Sequence, residues 1–511
     1  MAHEQAQQQE EEPPKGRIDK LARFISSRTG ATYPLLRPAP EYSLNPFYWL
    51  GALSVVAFLI QGVTGIIMLL WYTPTSAAAY TSTQYIFKSV YMGQFLETIH
   101  LYTAYAMIML AFMHMMRGYF VSVHKKPREL MWITGMLMGF VTLGFGFTGY
   151  LLPYTVVSVS ASDVGVGMVN ALPPPIASLV NFLITGGGGT DAELLHFYFL
   201  HVVVLPAVLL GLLLVKMMML ETHGVAEPVT GTLTAKLKRT LPIFPDMTVY
   251  MLELAVIFGV GMLMVSALFP LQLQPEYTQT AAGAIAAQPD WYFLWLYQIL
   301  KISFFEKAGV PVALTFVSVV FIALILLPFI DRGDNRRLIN RPKFVTLGAV
   351  FIAELIILAA WGELTPGQII SNSAAVEVLG GTALVVALAV GGVYYALRAP
   401  GGAGQASSGS LSSMPTHAAP APVKVYQGKW TGAIMTALMS FGALGMGLSI
   451  DSVAKLVEFG YSAEMLTRLT YSLCLLAAVI ALTLVMLRQV GSRVGAPQRS
   501  RTKVLSRLGL N

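Results

Sequence analysis

Ten apolar stretches of about twenty residues run through this 511-residue chain, near 47–72, 95–121, 131–152, 197–220, 248–269, 310–330, 344–361, 373–397, 430–449 and 467–488. Each is long enough to cross a ~30 Å hydrocarbon core as a helix. Within hydrocarbon a segment must satisfy its own backbone N–H and C=O groups, and for uninterrupted apolar runs the helix is the solution. Composition agrees. The chain is 55% hydrophobic and 12% charged, and soluble domains carry about twice that charged share. The expected fold is an all-α membrane protein of about ten spans.

Cationic residues set the expected orientation. They cluster before the first span (Arg17, Lys20, Arg23, Arg28, Arg37), after the second (Lys125, Lys126, Arg128) and after the fourth (Lys236, Lys238, Arg239). They recur after the sixth (Arg332, Arg336, Arg337, Arg341, Lys343) and beyond the tenth (Arg493, Arg499, Arg501), whereas residues 129–215 contain no Lys or Arg. This alternation places both termini in the cytoplasm. The net charge of +7 is then an orientation signal and does not indicate a nucleic-acid partner. The opening residues, MAHEQAQQQEEEPP, are polar and acidic, so no cleavable signal peptide is expected.

Cys474 is the only cysteine. The chain therefore has no C-x-x-C-H for covalent haem and no thiolate set for an iron–sulfur cluster. A redox centre in this chain must use nitrogen or thioether ligands. Residues 399–423, rich in Gly, Ala, Ser and Pro, read as a flexible linker.

His100 and His114 lie fourteen residues apart within one apolar segment, FLETIHLYTAYAMIMLAFMHMMRGYF. That spacing leaves them about 40° apart around a helix and roughly 21 Å apart along it. Imidazoles within a span are costly unless partnered and mark function by default. Two on one face suggest two stacked metal centres, with hydrogen-bonded packing histidines as the plain alternative. In the fourth stretch, His201 lies at the depth of His100, and Lys216, fifteen residues later, lies at the depth of His114. The result is a four-cornered frame. Gly51 and Gly65, and Gly135 and Gly149, repeat the fourteen-residue spacing on the first and third spans. A glycine at each level lets a flat group approach the backbone, although glycine is also common in membrane helices for packing.

With these features in hand, the chain resembles cytochrome b of the quinol-oxidising cytochrome bc complexes. The matching stretches are SLNPFYWLG, QGVTG, the His100/His114 pair with RGYF, KKPREL, FTGYLLPY, FYFLHVVVLP, FPD and QPDWYFLWLYQILK, in family order from about 41 to 301, followed by PFIDRGDNRR. The resemblance implies a four-helix bundle around two non-covalent b-type haems. His100 and His201 would ligate the outer haem and His114 one face of the inner haem, while Arg117 would meet inner-haem propionates. Pro289, Asp290, Trp291 and Tyr292 match the loop lining the quinol-oxidising pocket, where the acidic residue accepts a proton. Local sequence alone would read Pro289-Asp290 as a helix start; both readings can hold together.

Three residues depart from the family pattern. Lys216 stands where the family has histidine. It could bind iron as a neutral amine, or snorkel to the interface and leave a five-coordinate haem, or yield the position to Met217. Glu97 and His196 stand where the family commonly has arginines facing outer-haem propionates. Losing two cations favours the oxidised haem, which implies a lower potential and a low-potential quinol such as menaquinol; aspartate rather than glutamate at 290 leans the same way.

The expected organisation is a cytoplasmic segment (1–46), a di-haem four-helix domain (47–245), a C-terminal cytochrome b domain carrying the quinol loop (246–398), a linker (399–427) and a two-span tail (428–511). The expected activity is quinol:cytochrome c (or similar acceptor) oxidoreduction in a bacterial-type inner membrane, within a respiratory or photosynthetic chain. Implied partners are a Rieske iron–sulfur protein, a cytochrome c and a second copy of the chain. A di-haem membrane anchor for a quinone-linked dehydrogenase and a secondary transporter are the alternatives. Glu221, His223 and Asp246 lie near the depth of a cytoplasmic quinone site.

Overall fold

The structure, a computed structural model, describes residues 38–226, 240–284, 288–333 and 335–398. The expectations for most of the N-terminal segment, for Lys236, Lys238 and Arg239, and for the linker and two-span tail lie outside the described residues. Eight apolar helices match the first eight stretches: α1 (Leu50–Met68), α2 (Gly93–Phe120), α3 (Glu129–Leu151), α4 (Thr190–His223), α5 (Thr248–Leu268), α6 (Val310–Ile325), α7 (Pro342–Leu364) and α8 (Asn372–Tyr395). Seven are long and apolar enough to cross a membrane; α6 is shorter. The chain is a multi-pass membrane protein.

Pro328 accounts for the shortness of α6. Proline has no N–H for the carbonyl four residues back, here Leu324, and the helix breaks at Leu326 before resuming over Leu327–Ile330. The freed Leu324 carbonyl is not left bare in the apolar layer, because the Trp132 indole N–H of α3 donates to it at 2.8 Å. α4 meets a similar problem at Pro206 and widens to a π turn over Leu200–Val204.

α2 is the hub. Over half of its apolar window is buried (56%), against none of α8's (0%). Leu53 and Ala57 of α1, Tyr102, Ala106 and Leu110 of α2, and Leu254, Phe258 and Met262 of α5 make the main core. Outward faces such as Leu59, Ile66 and Leu70 are exposed, as lipid-facing residues should be. A small antiparallel pair, Pro38–Pro40 with Thr240–Pro242, lies at one end.

A buried polar lock joins the α2–α3 turn to the α6–α7 turn. Asp331 accepts from His124 Nε2 and Lys125 Nζ, each at 2.9 Å, and from Arg341. Arg341 also bonds Ser122. Burial alone would raise the Asp331 carboxyl, but the bonds from His124 and Lys125 and the charge of Arg341 outweigh it and hold it below its ordinary value. Three cationic or polar donors around one carboxylate fix how the first half of the chain meets the second.

Candidate functional site

His100 of α2 and His201 of α4 face each other with ring centres 6.4 Å apart and planes crossed at 63°. An imidazole nitrogen sits roughly 1.2 Å from its ring centre and a metal–imidazole bond is about 2.0–2.1 Å long, so one metal atom fits between the rings at this separation. Each ring lies against a glycine. A Cβ on Gly65 would stand 3.4 Å from His100 Cε1, and one on Gly149 would stand 2.8 Å from His201 Cε1.

The residues before those glycines select the tautomer. Thr64 Oγ1 lies 2.8 Å from His100 Nδ1 and donates its own proton to the Ile60 carbonyl at 2.7 Å. Thr148 Oγ1 lies 3.0 Å from His201 Nδ1 and donates to the Gly144 carbonyl at 2.8 Å. A hydroxyl whose proton is committed to a backbone carbonyl must accept from the imidazole, so Nδ1 carries the hydrogen. Nε2 is left with a lone pair for a metal, the outer-shell arrangement that metal-binding histidines use. These threonines were missing from the sequence expectations, although the repeated Thr-Gly pair was a readable signal.

The second level is built on the same plan with different parts. A Cβ on Gly51 would stand 3.1 Å from His114 Cε1, and one on Gly135 would stand 2.8 Å from Lys216 Nζ. All four spaced glycines thus meet the four frame residues, one to one. Leu50 precedes Gly51, and His114 Nδ1 is buried without a hydrogen-bond partner among the described residues. Thr134 precedes Gly135 and bonds back to the Leu130 carbonyl at 2.8 Å, but an amine offers it no second nitrogen to hold. Met217 points outward, 51% exposed, which removes it as an inward ligand. The π turn of α4, Leu200–Val204, begins at the first level with His201 inside it and takes up one extra residue on the way to Lys216. The fifteen-residue spacing of His201 and Lys216 thereby matches the fourteen-residue spacing of the histidines on α2. Two facing nitrogen donors at one level, a histidine and an amine at the other, and glycine floors at both make a donor set that fits haem.

Asp290 is held beside this bundle. Tyr105 of α2 donates to Asp290 Oδ1 at 3.1 Å, and Tyr292 donates to Oδ2 at 3.0 Å. The Tyr292 hydroxyl also lies 3.0 Å from the Gly146 carbonyl of α3, and Gly146 leaves room for the ring, since a Cβ there would stand 2.8 Å from Tyr292 Cε2. The expected helix start at Pro289-Asp290 is not formed. The helix begins at Leu294, with Phe293 as its N-cap, so the Asp290 carboxylate faces two phenols instead of a first helical turn. Tyr105, five residues after His100, was another site residue the sequence did not disclose.

The remaining candidates are scattered. Arg117 stacks over the Tyr48 ring, 3.9 Å from its centre. His196 folds back on its own helix, with Nδ1 2.7 Å from the Ala192 carbonyl. His223 does the same to the Met219 carbonyl at 3.0 Å. Asp246 lies in a π turn, Ile243–Met247, just before α5, and Glu221 lies near the end of α4.

Two family models match in tandem: "Cytochrome b(N-terminal)/b6/petB" over residues 105–281 and "Cytochrome b(C-terminal)/b6/petD" over residues 280–379. The chain is 32% identical to the cytochrome b of Sulfolobus acidocaldarius, with 74% of this chain and 71% of that one covered. It is 41% identical to the cytochrome b6 of Heliobacterium mobile over 192 residues, which is 37% of this chain and 90% of the relative. A solved structure titled "Hyperthermophilic respiratory Complex III" shares the fold, with a TM-score of 0.56 and 22% identity, covering 74% of this chain and 97% of that one. The chain belongs to the cytochrome b family, the haem-binding membrane redox subunits of bc-type complexes.

Proposed function

We propose that this cytochrome b oxidises quinol at the Asp290 loop and carries electrons through two haem levels to a quinone at the opposite face. The observation that carries the reading is the phenol-held Asp290 carboxylate, bonded to the helix that bears His100 and His114. b-Type haem bound at the two levels supplies one-electron carriers across the bundle. His100 and His201 would hold it at the first level, and His114 and Lys216 at the second. Gly51, Gly65, Gly135 and Gly149 give the flat group room, and Arg117 offers a cation to its propionates near the second level.

At the quinol loop, Pro289 lines the pocket, Asp290 accepts the proton from quinol, and Tyr292 orients the carboxylate. The cationic clusters near the second level support an orientation with that level cytoplasmic and the Asp290 loop outside. Protons released outside and taken up inside then build a membrane potential, worth ~2.3 kcal/mol per charge per 100 mV. One electron per quinol needs a high-potential acceptor such as a Rieske iron–sulfur protein, which a chain with one cysteine cannot supply from thiolates. A cytochrome c and a second copy of the chain complete the proposed assembly. Glu97 and His196, in place of two cations, favour a low-potential quinol such as menaquinol.

The test is made on the purified complex. A pyridine haemochrome assay should return two non-covalent b haems per chain, and His201→Ala should remove one and stop quinol oxidation. Asp290→Asn should slow quinol oxidation by about 10²–10⁴-fold with both haem spectra intact. Wild-type turnover in the Asn variant would sink the assignment of Asp290.

A further inference from the structure

We infer that Tyr105 is a positioning residue for proton transfer, tying the Asp290 carboxylate to the haem-bearing helix. The inference rests on the proposed role of Asp290 and adds what holds that group in place. Tyr292 belongs to the same loop as Asp290 and reaches α3 through the Gly146 carbonyl. Tyr105 belongs to α2, the most buried span, and is itself only 5% exposed. Its hydroxyl takes Oδ1 at 3.1 Å while Tyr292 takes Oδ2 at 3.0 Å. Each carboxylate oxygen therefore has one phenol, and the Tyr105 bond is the one that joins the carboxylate itself to the helix bearing His100 and His114.

The rings around this contact fix the phenol. Tyr105 meets Trp291 edge-on with centres 6.1 Å apart, and it lies 6.2 Å from the Tyr292 ring. On its other side is Tyr102, 6.5 Å away, whose hydroxyl donates to the Phe269 carbonyl at 2.7 Å. Titratable groups that face Asp290 include Tyr105 from α2, Tyr150 from α3 and Tyr292 from its own loop.

Neutral phenols that donate to a carboxylate favour its ionised form, the form that can take a proton. They also set which way the accepting oxygens point. Once Asp290 is protonated, its oxygens carry no net charge and accept more weakly than the carboxylate did, so the bonds from both phenols weaken. The Tyr105 bond is thus made by the base and weakened by its conjugate acid. Tyr105 holds the acceptor in place before transfer and lets the loaded carboxyl turn away afterwards.

Tyr105→Phe removes the hydroxyl and keeps the ring. In the whole complex, stopped-flow reduction of the b haems by 2,3-dimethyl-1,4-naphthoquinol should slow about tenfold, the weight of one hydrogen bond to a charged group. The acidic limb of the rate–pH profile should move to higher pH, with both haem bands unchanged. Tyr102→Phe, which removes a neighbouring phenol bonded to backbone, should leave the profile where it is. If Tyr105→Phe keeps the wild-type rate and profile while Asp290→Asn is slow, Tyr105 only packs and the inference fails. An equal shift in Tyr102→Phe would overturn it as well, because the effect would then be one of packing. A fast Asp290→Asn would bring down the role of Asp290 itself, whatever Tyr105 does.

Discussion

The two levels of the frame share their glycine floors but differ in the nitrogen-bearing side chains set against them. At the first level, two imidazoles face each other at 6.4 Å, each with Nδ1 on a threonine hydroxyl and each against a glycine. At the second, a histidine with a bare Nδ1 faces a lysine amine. The glycine floor is common to both; the threonine hold on Nδ1 is not. Space for a flat group and control of ligand orientation are therefore separable properties of the bundle. The first level is preorganised in both respects and the second only in space.

The sharpest way to break this comparison is at Lys216. Its Nζ lies against Gly135 as His201 lies against Gly149, so it is turned into the bundle and not toward the interface. No carboxylate pairs with it among the described residues, and an ammonium buried without an anion is costly. An amine whose lone pair is given to iron avoids that cost. Lys216→Ala should convert the second haem to a high-spin form or remove it, and Lys216→His should give a bis-imidazole low-spin spectrum. Electron paramagnetic resonance of the oxidised complex reads both. An unchanged second-haem spectrum in the alanine variant would mean that His114 is its only protein ligand.

Much of this was legible in the sequence, for physical reasons. Spans declare themselves by length and apolarity, and helical periodicity puts His100 with His114 and His201 with Lys216 on shared faces, although the π turn that brings Lys216 level with His114 was not visible. The shortness of α6 was less visible, because it depends on what Pro328 does to one carbonyl and on the Trp132 indole that rescues it. The role of Tyr105 was not legible, because five residues after His100 places it about 140° around the helix from that ligand. Only the folded loop brings Asp290 to that face. Local sequence also favoured a helix start at Pro289-Asp290, and contacts to two phenols overrode that preference.

The glycine floors give the next test. Gly149→Ala sets a methyl 2.8 Å from His201 Cε1, and Gly135→Ala sets one 2.8 Å from Lys216 Nζ. The contacts are equally short, but an imidazole on a short stem pinned by Thr148 has little freedom, whereas a lysine end has several torsions. Overpacking of this kind costs about 1–3 kcal/mol. Gly149→Ala should lose haem from the first level on dilution or mild heating, while Gly135→Ala should keep its haem and show only a shifted second-level band. Equal losses in the two variants would show that the second level is as rigidly organised as the first.

The smallest effect belongs to the threonines. Thr64→Val and Thr148→Val keep the shape of the side chain and remove the oxygen that accepts from Nδ1. Groups holding a metal-bound histidine are typically worth 10–100-fold in affinity, and an uncharged hydroxyl belongs at the low end, about tenfold. The bond also strengthens the imidazole as a donor and so favours the oxidised metal, which means its removal should raise the potential of the first haem. The second level supplies the reverse experiment. Leu50 stands before Gly51 where the first level has threonine, and His114 Nδ1 has no hydrogen-bond partner among the described residues. Leu50→Thr should give that nitrogen an acceptor and lower the potential of the second haem, as redox titration of the two b bands would record. Opposite shifts from the two kinds of variant are expected if the Thr-Gly pair sets the ligand as well as filling space. If Thr64→Val and Thr148→Val leave the first potential unmoved, the hydroxyls merely satisfy the helix backbone, and the difference between the levels reduces to histidine against lysine.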